Sequence, residues 1–289
     1  MKSIRIFILL ISLSLILSEI DHLRSQFYTL EDFQKILDNT YWIDKVQLEN
    51  EGSNEIVVAV VDSGVDSSHP LFEDISIDEG SDSLGHGTHV AGIIKSIMES
   101  VKIIPLSYYQ KNSRGIDNLR RSNRALKQAV ALNVDIINYS GNGPSYSKEE
   151  FKILKAAEQA GILVVVAAGN SGRRLGLKKT YPCSYKLSNI ICVGATDKNN
   201  KKVKSSNFGD PVHIFTYGKN IKSSFPKKRI KLMTGTSMAT AMITGVLAQA
   251  MSLKKLKPKI IKNKLLKSAS YSARGGFYML NSKKLVKEF

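Results

Sequence analysis

The chain has 289 residues, 43% hydrophobic and 23% charged. That is the balance of a soluble globular protein and excludes global disorder; two cysteines exclude a disulfide framework and a four-thiolate zinc site. The formal net charge of +17 is concentrated at one end: residues 201–289 hold 20 basic and 2 acidic side chains, residues 1–200 hold 22 and 23. Such a segment admits nucleic acid, anionic envelope surfaces or acidic substrates as contacts, although Lys-rich helices with solvated faces are the simpler reading.

Residues 1–18 read as a secretion signal. Lys2 and Arg5 give a positive start, Ile6–Leu17 is an apolar core broken only by Ser12 and Ser14, and small Ser18 precedes Glu19. The core is shorter than the roughly 20 residues of a bilayer-spanning helix. A cleaved leader is favoured over an uncleaved membrane anchor, so the mature chain is expected outside the cell or in a periplasm. Beyond the first twenty residues no apolar run is long enough to span a bilayer. Residues 19–41 form an N-terminal segment, with a helical pattern over Leu30–Leu37.

From residue 42 to 289 the pattern predicts one domain. Glu55–Val61, Val101–Leu106, Val134–Asn138, Ile162–Ala168 and Ile190–Gly194 are apolar, largely β-branched runs, the mark of strands buried on both faces. Helical patterns lie between them over His89–Glu99, Asp117–Asn133 and Lys148–Ala160. The alternation predicts an α/β fold, three layers α/β/α around a mostly parallel central sheet. Residues 201–233 are polar, turn-rich and without a clear period. A small-residue apolar helix is expected over Ser237–Ser252, and an amphipathic basic one over Pro258–Ala269.

In a parallel α/β fold, function sits beyond the carboxyl ends of the strands. Asp62 stands there, directly after the first run. His86, between Gly85 and Gly87, opens a helix, where the positive dipole end is expected to favour neutral imidazole, the form of a general base. Asn170 follows the fourth run, where its amide can donate to a developing oxyanion. Ser237 follows Gly235 and opens a helix. Taken singly, each has an ordinary structural explanation: a turn Asp, a core His, a turn Asn, a helix-capping Ser.

Together they are not ordinary. In the order Asp, His, Asn, Ser, the stretches Val58–Pro70, Gly85–Gly92, Ala167–Gly172 and Gly235–Ala239 resemble the four signatures of the subtilisin-like serine protease family (subtilase, peptidase S8), and the resemblance runs from about Val57 to Lys287. It implies a serine endopeptidase working through an acyl-enzyme, with Ser237 as nucleophile, His86 as base and Asp62 orienting the imidazole. It also implies an oxyanion hole from Asn170 and the Ser237 backbone N–H, supported by Thr236. Ser140, Gly141 and Asn142 would form one wall of the pocket for the residue before the scissile bond, and Ala167, Ala168 and Gly169 the other. Gly141 replaces a usual leucine and removes apolar bulk; Asn142 replaces a usual glycine and narrows the approach. No acidic residue marks either wall, so a broad or apolar preference is expected. Tyr181-Pro182 matches a segment that often holds a cis-proline turn.

The same resemblance implies polypeptide substrates and no cofactor for catalysis. Structural calcium remains open, although Leu71 stands where many members have aspartate and the Asp62–His86 interval is short. The segment before Ile56 is too short for the family's folding pro-domain. Export permits a disulfide between Cys183 and Cys192; two buried thiols are the other reading. A monomer is expected. The competing reading is a non-catalytic binding protein on a protease scaffold that uses the basic C-terminal segment. No base-reading motif supports specific nucleic acid binding, and no Gly-x-Gly-x-x-Gly or phosphate-binding loop supports a nucleotide cofactor.

Overall fold

Six parallel strands carry the buried runs in a computed structural model that describes residues 41–48, 51–72, 75, 82–110, 115–176, 178–273 and 275–289. They are β1 (Val57–Asp62), β2 (Lys102–Ser107), β3 (Ile136–Tyr139), β4 (Leu163–Ala167), β5 (Ile190–Thr196) and β6 (Ile214–Tyr217). A separate antiparallel hairpin follows, β7 (Ile221–Phe225) and β8 (Arg229–Met233). Strands β9 (Ser270–Ser272) and β10 (Phe277–Met279) then close the main sheet, whose order is β2-β1-β3-β4-β5-β6-β10-β9. Only the β10–β9 pair in it is antiparallel. The leader, the Leu30–Leu37 pattern and nearly all of 19–41 lie outside the described residues.

The period of two along each strand sorts side chains into two layers. Val58, Val60, Leu163, Val165, Ile191 and Val193 face α1 (His86–Ile97) and α4 (Thr236–Leu253). Ala59, Val61, Val164, Val166, Ile190 and Cys192 face α2 (Gly115–Ala131) and α3 (Lys148–Gln159). A sheet covered on both faces is why the runs read as continuously apolar. The three-layer α/β/α expectation holds. Each fully buried Val, Leu or Ile contributes roughly 1.5–3 kcal/mol.

Local signals set the helix ends. Ser147 caps α3 by accepting from the Glu150 N–H at 3.2 Å, with Glu149 and Glu150 in the first turn. Pro258 opens α5 (Pro258–Ser268) at a position where a missing N–H costs nothing. Helix α4 spans 18 residues with mean hydropathy 1.2, which corrects the expectation that no segment after the leader suits a bilayer by length and composition. It is instead a core helix, buried from Thr236 to Ser252. It crosses α1 closely, because a Cβ on Gly245 would sit 2.9 Å from the Ile97 Cβ.

The stretch 201–233, unreadable in sequence, contains β6 and the β7–β8 hairpin. The outer strand β8 has Arg229, Lys231 and Leu232 exposed and Ile230 and Met233 half-buried, so it carries no buried apolar period. Helix α1 begins three residues before the apolar pattern, at His86, after Gly85 in the left-handed region (φ 75°). This early start puts His86 on the first turn.

Candidate active site

The sheet order reverses beside β1: the chain leaves β1 for β2 on one side and returns to β3 on the other. Crevices at such a switch, beyond the carboxyl ends of the strands, are where α/β folds bind ligands. Asp62 ends β1 and is buried, and its Oδ1 lies 2.6 Å from His86 Nδ1. The same oxygen accepts from the Ser63 N–H at 2.8 Å. Gly87 makes the approach feasible. A Cβ there would fall 2.0 Å from the Gly64 carbonyl oxygen and 3.2 Å from the Asp62 Cβ, so only glycine lets the start of α1 lie on the end of β1.

Electrostatics follow from burial and charge. Burial pushes the Asp62 carboxyl up, but the charge and hydrogen bond of His86, with help from Ser63 and Ser140, hold it below its ordinary value. Burial pushes the His86 imidazole down, yet the Asp62 charge and hydrogen bond outweigh it and raise the group above 6.5. The expectation that the helix start keeps this imidazole neutral is therefore corrected: a full charge at 2.6 Å outweighs a fractional helix charge.

Asn170 lies just past β4. Its side-chain oxygen accepts the Thr236 N–H at 2.9 Å and the Thr236 hydroxyl at 3.1 Å. That hydroxyl also accepts the Gly169 N–H at 3.2 Å. With the oxygen fixed, the Asn170 Nδ2 sits beside Gly235, where it would lie 3.2 Å from an added Cβ. Thr236 and Ser237 are the first two residues of α4, and Ser237 is nearly buried, at 5% exposure. The carboxyl edge of the sheet thus carries a carboxylate–imidazole pair and a locked amide beside a helix-start serine.

The model of the subtilase family matches residues 53–283. The chain belongs to the subtilase family. Subtilisin amylosacchariticus of Bacillus subtilis subsp. amylosacchariticus is 33% identical over 219 residues, 70% of this chain and 56% of that protein. A thermostable alkaline protease of Halalkalibacterium halodurans is 34% identical over 226 residues, 72% and 60% of the two chains. Among solved structures, a cold adapted subtilisin-like serine proteinase superposes with a TM-score of 0.72 at 27% identity, covering 84% of this chain and 98% of that one. The chain spans a little over half the length of these curated relatives.

In this subtilase the two expected pocket walls nearly touch. A Cβ on Gly169 (φ 99°) would lie 2.9 Å from the Asn142 Oδ1 and 2.7 Å from the Asn207 Nδ2. Asn142 therefore reaches across the slot between Ser140–Asn142 and Ala167–Gly169. Tyr181 exchanges two backbone hydrogen bonds with Gly143, at 2.9 and 2.8 Å, and the Tyr181-Pro182 bond is cis. Cys183 and Cys192 are bonded to each other (S–S 2.02 Å), with the Cys183 sulfur 3.6 Å from the Ala167 carbonyl oxygen. Beyond Gly141 opens a cavity of about 440 Å³, floored in part by Tyr139 and Glu150.

Sequence reasoning missed Asp82. This buried carboxylate accepts from the Ser63 hydroxyl (2.9 Å), the Leu84 and Gly85 N–H groups (3.2 and 2.8 Å), and the Thr88 N–H and hydroxyl (2.8 and 2.7 Å). Ser63 in turn accepts the Gly87 N–H at 2.9 Å. Asp82 thereby fixes the turn before His86 to the turn after Asp62. Its signal in the sequence was its position four residues before His86, hidden in an acidic stretch. His89, also on α1, binds the hairpin: its Nε2 lies 3.0 Å from both the Ile221 and Lys231 carbonyl oxygens. Burial lowers this imidazole to about 4.

The calcium that the family resemblance leaves open does not fit the Asp66–Leu71 segment. Leu71 is a buried apolar side chain, and the Asp66 oxygens already accept from Ser68 and the Lys227 N–H. Among the described residues no group of three or more His, Cys, Asp or Glu could hold a metal ion.

Proposed function

We propose that the protein is a serine endopeptidase with Asp62, His86 and Ser237 as its triad. The Ser237 oxygen attacks the peptide carbonyl carbon while His86 Nε2 takes the hydroxyl proton. The carbonyl oxygen, now negative, is held by the Asn170 amide and the Ser237 backbone N–H. Collapse breaks the C–N bond, and the proton passes from His86 to the departing amine. Water then attacks the ester by the same route in reverse, freeing the acid and restoring Ser237.

The observation that carries this reading is the 2.6 Å Asp62–His86 contact at the carboxyl edge of a subtilase sheet. The Asn170 oxygen anchored by Thr236 supports the oxyanion role, because it leaves the N–H₂ end to donate. The reach of Asn142 to Gly169 supports a small residue before the scissile bond, narrower than the broad or apolar preference read from sequence. The leader-like residues 1–18 support action on polypeptides outside the producing cell.

The test is labelling with a serine-directed fluorophosphonate. Wild type labels and Ser237→Ala does not. A folded wild type that stays unlabelled overturns the assignment.

A further inference from the structure

Residues 219–233 hold six cations and no carboxylate. The inner strand of this hairpin is fixed to α1. The Ser223 and Ser224 hydroxyls donate to the His89 and Thr88 carbonyl oxygens at 2.9 and 2.8 Å. The Phe225 ring occupies the space beside Gly85, 2.2 Å from where a Cβ would stand. Gly85 is the residue before His86. Two cations lie over that ring: the Lys231 ammonium 4.4 Å and the Arg229 guanidinium 5.0 Å from its centroid. Lys227 and Lys228 form the adjoining turn. One aromatic ring therefore touches both these cations and the residue next to His86.

Among the described residues these cations meet aromatic and backbone groups rather than carboxylates: beyond the ring contacts, the Arg229 Nε donates to the Pro226 carbonyl oxygen at 3.0 Å. Lys227, Lys228, Arg229 and Lys231 form no ion pair among the described residues. Asp66, whose carboxylate accepts the Lys227 backbone N–H, also accepts from Ser68. The lysines around α5 differ: Lys255 pairs with Asp135, Lys267 with Glu288, and Lys262 donates to the Ile190 carbonyl oxygen. Among the described residues, part of the basicity around α5 is thus paired with carboxylates, while the hairpin cations meet none. Leu232, 61% exposed, adds an apolar contact on the outer strand.

We propose that the face formed by Phe225, Lys227, Lys228, Arg229 and Lys231 docks an acidic stretch of the polypeptide substrate beside the bond to be cut. The proposal rests on the endopeptidase reading above and names a substrate class for it. Charge complementarity picks the occupant, and nearness to His86 picks a chain already held in the cleft. Exposed cations act through water, so the effect falls on capture and KM and is screened by salt.

Binding by Ser237→Ala protein separates this from cleavage. Two fluorescent peptides share one core; four glutamates flank it in one and four serines in the other. Fluorescence anisotropy is expected to give about tenfold tighter binding of the acidic peptide at low salt, falling to parity near about 0.5 M. Arg229→Gln/Lys231→Gln reduces the ratio toward one, and Arg229→Glu/Lys231→Glu inverts it. A thermal melt of each variant checks folding, and the glutamine pair decides if the glutamate pair unfolds. Equal binding of both peptides by the Ser237→Ala protein sinks the docking face, as does a preference that survives in the folded glutamine pair. Salt-sensitive binding of phosphatidylglycerol vesicles without any acidic-peptide preference overturns it in favour of an envelope surface. Fluorophosphonate labelling of the wild type reports separately on the endopeptidase reading, so either can fail alone.

Discussion

Thr236 gives both its backbone N–H and its hydroxyl to the side-chain oxygen of Asn170. Two donors on one oxygen decide which way the amide points, since the nitrogen end could not accept either. Asn170→Ala is expected to lower kcat by about 10²–10³ with little change in KM, because the lost donor acts on charge that exists only in the transition state. Thr236→Val keeps the backbone N–H and removes only the hydroxyl, so its loss should be smaller, about tenfold. Steady-state kinetics on a peptide anilide distinguishes the two. A Thr236→Val loss as large as that of Asn170→Ala would show the backbone bond to be insufficient.

The Asp62–His86 pair sets the pH response. In the proposed triad only a neutral His86 can take the serine proton, and the Asp62 charge raises this imidazole above its ordinary 6.5. The kcat/KM profile should therefore rise through a midpoint above 6.5. In Asp62→Asn the opposing charge is gone while burial remains, so the midpoint should fall below 6.5 and the plateau should drop by about 10⁴. Stability follows the same pair. Raised His86 stabilises the fold fully below 6.5, and this is lost as pH climbs through its folded value. Lowered Asp62 stabilises above 3.8, and this is lost as pH falls through its folded value. The contribution is largest between these two values; urea midpoints measured from pH 3 to 9 check it. An unmoved midpoint in Asp62→Asn would remove Asp62 from control of the imidazole.

Strands β1 to β5 were legible because burial on both faces leaves only apolar residues available. The candidate site was legible because its groups sit at strand ends and helix starts, so each carries its own local motif. The hairpin was not legible: its inner strand is held to α1 by serine hydroxyls, and its outer strand is largely exposed, so neither strand carries a buried apolar period. Asp82 was hidden for a related reason. A carboxylate whose partners are mostly backbone N–H groups looks, in sequence, like any loop aspartate. The sense of the His86 shift needed a distance, which only the fold supplies.

Asp82 offers a test of how the turn before His86 is held. Its two oxygens receive five donors from Ser63, Leu84, Gly85 and Thr88. Asp82→Asn turns one acceptor into a donor facing other donors, and no rotation relieves it. The expected cost is about 2–3 kcal/mol in urea unfolding. Because Gly85 is one of the donors, kcat should fall by more than KM rises. A variant with native stability and native kcat would reduce Asp82 to a bystander.

Asn142 offers the sharpest test of the pocket. Its side-chain oxygen and carbon lie 2.9 and 3.2 Å from where a Gly169 Cβ would stand, so this side chain narrows the slot between the walls. Asn142→Gly removes that barrier without touching Asp62, His86, Asn170 or Ser237. Peptides with alanine before the scissile bond should be cleaved by the variant at close to the wild-type rate. Those with leucine or phenylalanine there should gain about tenfold in kcat/KM, the scale of one or two buried methylenes. The comparison is a ratio within one enzyme, so it is independent of active-site concentration. If the phenylalanine-to-alanine ratio is the same in both proteins, the narrow slot must be set by another residue, with Asn207, whose Nδ2 lies 2.7 Å from the same point beside Gly169, the next to substitute.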